Sequence, residues 1–409
     1  MKLQVTETVN IAQAKIALAQ TAKLYFSKDK NGNYRMDRRR ARPVCLLGPA
    51  GVGKTEIVRQ VALEQELAFL SYSVTHHTRQ SAIGLPRLTQ VQVDGRTVPI
   101  TEYTMSEIIA EVYRVMNETG KKEGILFLDE FNCASETMRP IMLQLLQAKT
   151  FGPHAIPDGW MLVLAGNPPE YNAAAASLDA VTADRMRLIH LKPDYAAWRE
   201  YMVKHKIHPI ILSYLDDHKR QFYVFEKGND GTALVTARAW EDFSVMLRMM
   251  EEQDFEVDLP FVAQYLQSSQ VAREFITYYR QYAAIIAEGT PDKILNEQPT
   301  QKLVNRVDAM SFLERWALTS VLLLRLEAAC EVEGGETQAD AMLDRAIGFF
   351  DKYLAQEPQY EFFLNGVTNC DPIARLIART GNETYGRVAE KVFFSNSAPN
   401  MRELKKLIS

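Results

Sequence analysis

Gly48-Pro49-Ala50-Gly51-Val52-Gly53-Lys54-Thr55 concentrates more chemistry than any other stretch of this chain. It fits G-x-x-x-x-G-K-[ST], the spacing of a loop that wraps the phosphates of a nucleoside triphosphate. Glycines let successive backbone N–H groups turn inward around a phosphate. Lys54 supplies a point charge for the β- and γ-phosphates, and Thr55 a hydroxyl for Mg²⁺. The flanks suit the motif. Val44-Cys45-Leu46-Leu47 reads as a short buried strand, and Glu56–Ala62 has the apolar spacing of a helix. The start of that helix adds partial positive charge facing the phosphate.

A second group of residues follows. Gly124-Ile125-Leu126-Phe127-Leu128-Asp129-Glu130 is an apolar run that stops on two carboxylates. Buried carboxylates are costly without a partner. Mg²⁺ and an attacking water would provide one: Asp129 would hold the ion, and Glu130 would orient and polarise the water. Taken alone, an ordinary strand ending in an acidic loop would look the same. Trp160–Gly166 is another apolar run, and it stops on Asn167. That carboxamide can donate to the γ-phosphate or the water; a turn-forming Asn before Pro168 is the plainer alternative.

Two arginines complete the set. Arg185, in Ala183-Asp184-Arg185-Met186-Arg187, is expected at the rim of the domain, beyond a helix. From there it would reach a neighbouring subunit's phosphate as an arginine finger in trans, with an edge salt bridge as the alternative. Arg187 is a weaker candidate for that role. Arg238, in Thr236-Ala237-Arg238, is expected near the start of a helix capped by Thr236. It would reach back to the γ-phosphate from a helical lid; a plain surface arginine fits the local pattern equally well.

These residues need a scaffold that brings strand ends together. Residues 43–193 alternate apolar runs (Val44–Leu47, Phe69–Val74, Ile125–Leu128, Leu162–Ala165, Leu188–Leu191) with helical segments. That is the pattern of a parallel sheet wrapped by helices. Val91–Val98 alternates around Asp94-Gly95, a hairpin signal. Upstream, residues 1–42 hold a helical stretch (Val9, Ala12, Ile16, Ala19, Leu24) and a basic run over Arg35–Arg42. The run reads as a solvated linker or, less simply, as a phosphate or nucleic-acid contact. From 194 strand signals fade, so residues 194–290 are expected to form a helical lid. A linker or long loop is expected over 288–303, and helices over 304–409, within a C-terminal helical region of 291–409, with a break at Glu333-Gly334-Gly335-Glu336.

Composition sets outer bounds. A net charge of −4 gives no global pull toward nucleic acid or anionic membrane. Cys45, Cys133, Cys330 and Cys370 are scattered, which suits reduced thiols in a cytoplasmic protein rather than a disulfide framework. His76-His77 has no further ligand pattern, so no metal site is expected there. No apolar run approaches the length of a membrane span; the best candidate, Val321–Leu324, is interrupted by Arg325, and no membrane span is expected. Phe349-Phe350 and Phe362-Phe363 read as packing.

In this order the motifs resemble the AAA+ ATPases, and within them the MoxR group. The resemblance covers about residues 40–255. The phosphate loop matches Gly48–Thr55, the acidic strand Leu128-Asp129-Glu130-Phe131-Asn132, the first sensor Asn167, the arginine finger Asp184-Arg185-Met186. Thr236-Ala237-Arg238 matches the second sensor, with Ala237 where the family carries proline. Ile83-Gly84-Leu85-Pro86 is similar to the segment that opens the family's inserted hairpin, which would make 85–101 a pore-facing insert. The resemblance implies an α/β AAA+ core followed by an all-α lid and C-terminal helices, and a ring, a hexamer by expectation. It also implies ATP and Mg²⁺ as ligands, a protein client, and a partner with a von Willebrand factor A domain. A DNA-acting motor or loader, supported only by Arg38–Arg40 and the hairpin, is one alternative. A nucleotide-gated scaffold with little turnover is another.

Overall fold

The computed structural model describes residues 7–37, 40–76, 78–205, 207–228 and 231–393. Arg38 and Arg39 of the basic run, His77, and residues 394–409 lie outside the described residues. The chain divides into two compact units. The first holds residues 1–201 with 236–238, and the second holds 202–235 with 239–409.

The first unit is built on five parallel strands. In chain order its elements are α1 (Ile11–Tyr25), β1 (Val44–Leu47), α2 (Lys54–Glu64), β2 (Ala68–Ser73), α3 (Arg79–Ile83), β3 (Pro86–Val93), β4 (Arg96–Tyr103) and α4 (Glu107–Thr119). Then come β5 (Gly124–Asp129), α5 (Arg139–Ala148), the short pair β6 (Thr150–Phe151) and β7 (His154–Ala155), β8 (Trp160–Gly166), α6 (Ala180–Asp184), β9 (Arg187–His190) and α7 (Tyr195–Lys204), in which the unit boundary falls. The sheet order is β2-β5-β8-β1-β9, every pairing parallel. Helices cover both faces, so β1 and β8 are buried at every position. This explains why they read as unbroken apolar runs and not as alternating ones.

Register puts the chemistry at one edge. Leu47 pairs with Gly166, and Ser73 pairs with Asp129. The residues that follow β1, β5 and β8 therefore emerge side by side at the carboxyl ends of the strands, where open α/β sheets bind ligands.

The second unit contains α8 (Pro209–Asp217), a hairpin of β10 (Val224–Gly228) and β11 (Gly231–Val235), and the helices α9 (Ala237–Glu252, its first turn in the first unit), α10 (Leu259–Tyr265) and α11 (Ser269–Ala287). It continues with α12 (Thr290–Asn296), α13 (Gln301–Asp308), α14 (Phe312–Cys330), α15 (Glu336–Tyr353), α16 (Pro358–Asn369), α17 (Asp371–Thr380) and α18 (Glu383–Phe393). Its core is aromatic: Tyr214 and Phe243 meet Phe275 edge-on, each at 5.1 Å between ring centroids. Phe350 stacks on Phe363 at 4.3 Å, so both paired-phenylalanine motifs contribute to packing.

Four expectations change. Helix α1 forms, but Ile16 and Leu24 are 59% and 63% exposed, and the buried face is Ala14, Leu18, Ala22 and Tyr25. The helix carries two apolar stripes, and only contact with the sheet unit decides between them. Residues 288–303 are not a loop, because α12 and α13 occupy them; Pro291 lies in the first turn of α12 and Thr300 caps α13. Proline at that position starts a helix instead of breaking one. The hairpin of β10 and β11 interrupts the all-α region expected after 194. Finally, the hairpin expected over 85–101 spans Pro86–Tyr103, with Asp94 and Gly95 at positive φ in the two-residue turn.

Candidate nucleotide site

The phosphate loop leaves β1 and turns on two glycines at positive φ, Gly51 (+73°) and Gly53 (+93°). Only glycine adopts these conformations at little cost. At Gly51 a Cβ would also lie 2.7 Å from the Thr236 side chain, because Thr236 packs directly over the loop. Next to it, the Arg238 N–H donates to the Gly51 carbonyl at 3.3 Å. The Thr236–Arg238 segment therefore touches the phosphate loop. Helix α9 begins at Ala237, directly after Thr236, with Arg238 in its first turn.

Lys54 opens α2 and is only 8% exposed. Its ammonium donates to the carbonyls of Gly48 (2.9 Å) and Pro49 (2.8 Å) and to Asn167 Oδ1 (2.8 Å). Burial pushes its pKa down to about 8, with Arg238 pushing the same way and Asp129 opposing. A cation held among neutral acceptors is suited to receive phosphate oxygens, which favour its charged form.

The carboxylate pair splits into two environments. Asp129 Oδ2 accepts from the Thr55 hydroxyl at 3.2 Å, and Oδ1 accepts from the Glu130 N–H at 2.8 Å. A threonine hydroxyl beside a carboxylate is an all-oxygen set that fits Mg²⁺, which holds most of its waters. Glu130 follows at φ +54°, a left-handed conformation that costs a non-glycine residue energy and turns it off the strand axis. Its Oε2 accepts from Thr75 at 2.9 Å and Ser73 at 3.1 Å.

Asn167 meets Lys54 directly, and its carboxamide also carries N–H donors for a phosphate oxygen or a water. Asn132 positions it. The Asn132 amide donates to the Asn167 carbonyl at 2.7 Å and to the Ala176 carbonyl at 3.2 Å, while its own carbonyl accepts from Ala176 N–H at 2.8 Å. Gly166 leaves room for this clamp, since a Cβ there would sit 2.3 Å from Asn132 Oδ1.

Arg185 lies elsewhere. It caps α6, donates to the Val181 carbonyl, and packs against Gln147 at the end of α5. With the Gln147 oxygen facing the guanidinium, that oxygen accepts from Nε at 2.8 Å. None of these bonds joins Arg185 to the Lys54 group in its own chain. Arg187 is committed within the first unit, donating to Thr21 Oγ1 at 2.8 Å.

Lys54, Thr55, Asp129, Asn167 and the backbone at Arg238 are thus together, with Glu130 adjacent and Arg185 apart. Sequence reasoning missed Ser73, Thr75 and Gln147, and left Asn132 without a role. Ser73 carried a usable signal: a hydroxyl at the end of a strand that runs alongside the acidic one. Gln147 carried none, because its partner is distant in sequence.

Among the described residues no group of three or more His, Cys, Asp and Glu could hold a metal on its own, and no helix is long and apolar enough to cross a membrane. Comparison with curated proteins finds no match. Residues 43–186 match the family model of the AAA domain, dynein-related subfamily, and this segment, with its sheet and its phosphate loop, is an ATP-binding AAA+ core.

Proposed function

We propose that the protein is a MoxR-like AAA+ ATPase that works as a ring, a hexamer by resemblance, and spends ATP hydrolysis on remodelling a protein client. The observation that carries this reading is the meeting of Lys54, Thr55, Asp129 and Asn167 at three adjacent strand ends. Lys54 binds the β- and γ-phosphates. Thr55 and Asp129 hold Mg²⁺, which when bound neutralises phosphate charge. Glu130 orients and polarises the attacking water, after leaving the hydroxyls of Ser73 and Thr75. Asn167 reads the third phosphate, and Arg238 relays its presence to the lid. Arg185 serves a neighbour's site, in keeping with its separation from its own. A partner with a von Willebrand factor A domain and a cytoplasmic setting come from the resemblance alone.

The test compares wild type with Glu130→Gln. The variant is expected to bind a fluorescent ATP analogue normally and to turn over ATP slower by a factor on the order of 10²–10⁴. Unchanged turnover would remove Glu130 from its role. Failure of the wild type to bind ATP would overturn the reading as a whole.

A further inference from the structure

The basic run before β1 finds a use at the opposite edge of the sheet. Arg42 ends that run, Arg187 opens β9, and Lys149 caps the C-terminus of α5. All three line one cavity of about 100 Å³, with Thr21 and Tyr25 of α1 and Met161 of β8 among its other walls. The cavity opens at the amino-terminal ends of the strands, where Val44 pairs with Arg187. The phosphate loop leaves the other end of β1. Four residues of strand separate the two, roughly 13 Å of rise.

The charge around this cavity is not balanced. The Lys149 ammonium donates to the Leu146 carbonyl at 2.7 Å, and Arg187 donates to the Thr21 hydroxyl at 2.8 Å. Both partners are neutral. Arg42 lies 3.4 Å from the Asp184 carboxylate. Lys149 is held in place by a left-handed backbone (φ +58°), with its N–H bonded to the Leu145 carbonyl. The end of a helix favours a cation there. Even so, burial alone pushes its pKa down to about 8. Three cations around one small, mostly apolar cavity repel one another, and an anion among them would offset that repulsion and the desolvation of Lys149.

We infer that Arg42, Lys149 and Arg187 form a second anion site, built for one small tetrahedral oxyanion of the phosphate or sulfate class. The small volume suits a single free oxyanion. The two guanidinium groups, both exposed to solvent, supply paired donors, and the half-buried Lys149 supplies a point charge. The site is separate from the triphosphate pocket and does not depend on the reading proposed for it.

The test uses sulfate, which keeps its double charge across the pH range of interest. Sulfate is titrated into the full-length protein at constant ionic strength with chloride as the balancing ion, and binding is read as a rise in melting temperature. The rise is expected to persist in Lys54→Met, which disables the phosphate loop, and to weaken by about tenfold in affinity in Lys149→Met and in Arg187→Gln. In the wild type affinity falls as pH rises through about 8, where Lys149 loses its proton. Lys149→Arg keeps the affinity and loses the pH dependence, which also shows that the position tolerates substitution. Binding lost in Lys54→Met and kept in Lys149→Met would assign the sulfate to the phosphate loop and overturn the inference, as would no effect of sulfate beyond chloride. A single-stranded oligonucleotide is expected to bind equally, or not at all, in wild type and Lys149→Met. Selective loss in the variant would mean that the cavity takes a polymer's phosphate, contrary to the assignment.

Discussion

Lys54 is a cation held almost out of water, and its surroundings set the pH range in which it can bind phosphate. Burial is the largest influence and lowers its pKa to about 8. The charged form is the one that binds, so ATP affinity is present below that value and is lost as pH rises through it. The slope approaches about tenfold per pH unit at most, one proton being linked. Equilibrium titrations with a fluorescent ATP analogue between roughly pH 7 and pH 10 check this; a flat profile would show that the loop lysine stays charged throughout. Glu130 poses a different problem. Its carboxylate rests on Ser73 and Thr75, so the two hydroxyls hold it in one direction. Because Glu130 must leave these hydroxyls to reach the water, removing both in Ser73→Ala/Thr75→Ala is expected to raise kcat by about tenfold and leave KM nearly unchanged. A change in KM alone would mean that the hydroxyls serve binding. At this scale local spacing was enough to single out Lys54, Thr55, Asp129 and Asn167, which the structure brings together. It was silent where a role needs a neighbour from another strand or helix, as for Thr75 and Gln147.

At the scale of elements, the site depends on strand ends being in register and on loops passing within van der Waals distance. Gly166 is the tightest example, lying against Asn132, which in turn clamps the Asn167 carbonyl. Gly166→Ala is expected to displace Asn132, to destabilise the protein by about 1–3 kcal/mol and to lower turnover. Denaturant melts alongside ATPase assays check both, and a stable, fully active variant would show that the clamp is not needed. The five strands were legible because parallel strands buried on both faces read as plain apolar runs. The errors have physical causes. Pro291 and Thr300 look like loop residues until they are seen as helix starters. Helix α1 offers two apolar stripes, and the stripe led by Ile16 is the one left in water. The strands β10 and β11 are short and largely exposed, so they lack a burial pattern to announce them.

At the scale of the whole molecule, Arg185 stands apart from the other site residues. Within its own chain Arg185 is bound by Val181 and Gln147, not by the phosphate loop. If the finger acts in trans, each active site is shared between two copies, and oligomerisation is part of the chemistry. Mixing Arg185→Ala with Lys54→Ala tests this most directly. Each variant alone is expected to bind partners but to hydrolyse almost no ATP. In an equal mixture, roughly a quarter of interfaces pair an intact Lys54 with an intact Arg185 from the neighbour, and a matching part of the wild-type ATPase rate returns. No recovery at any mixing ratio, with mixed assemblies shown to form, would contradict the account.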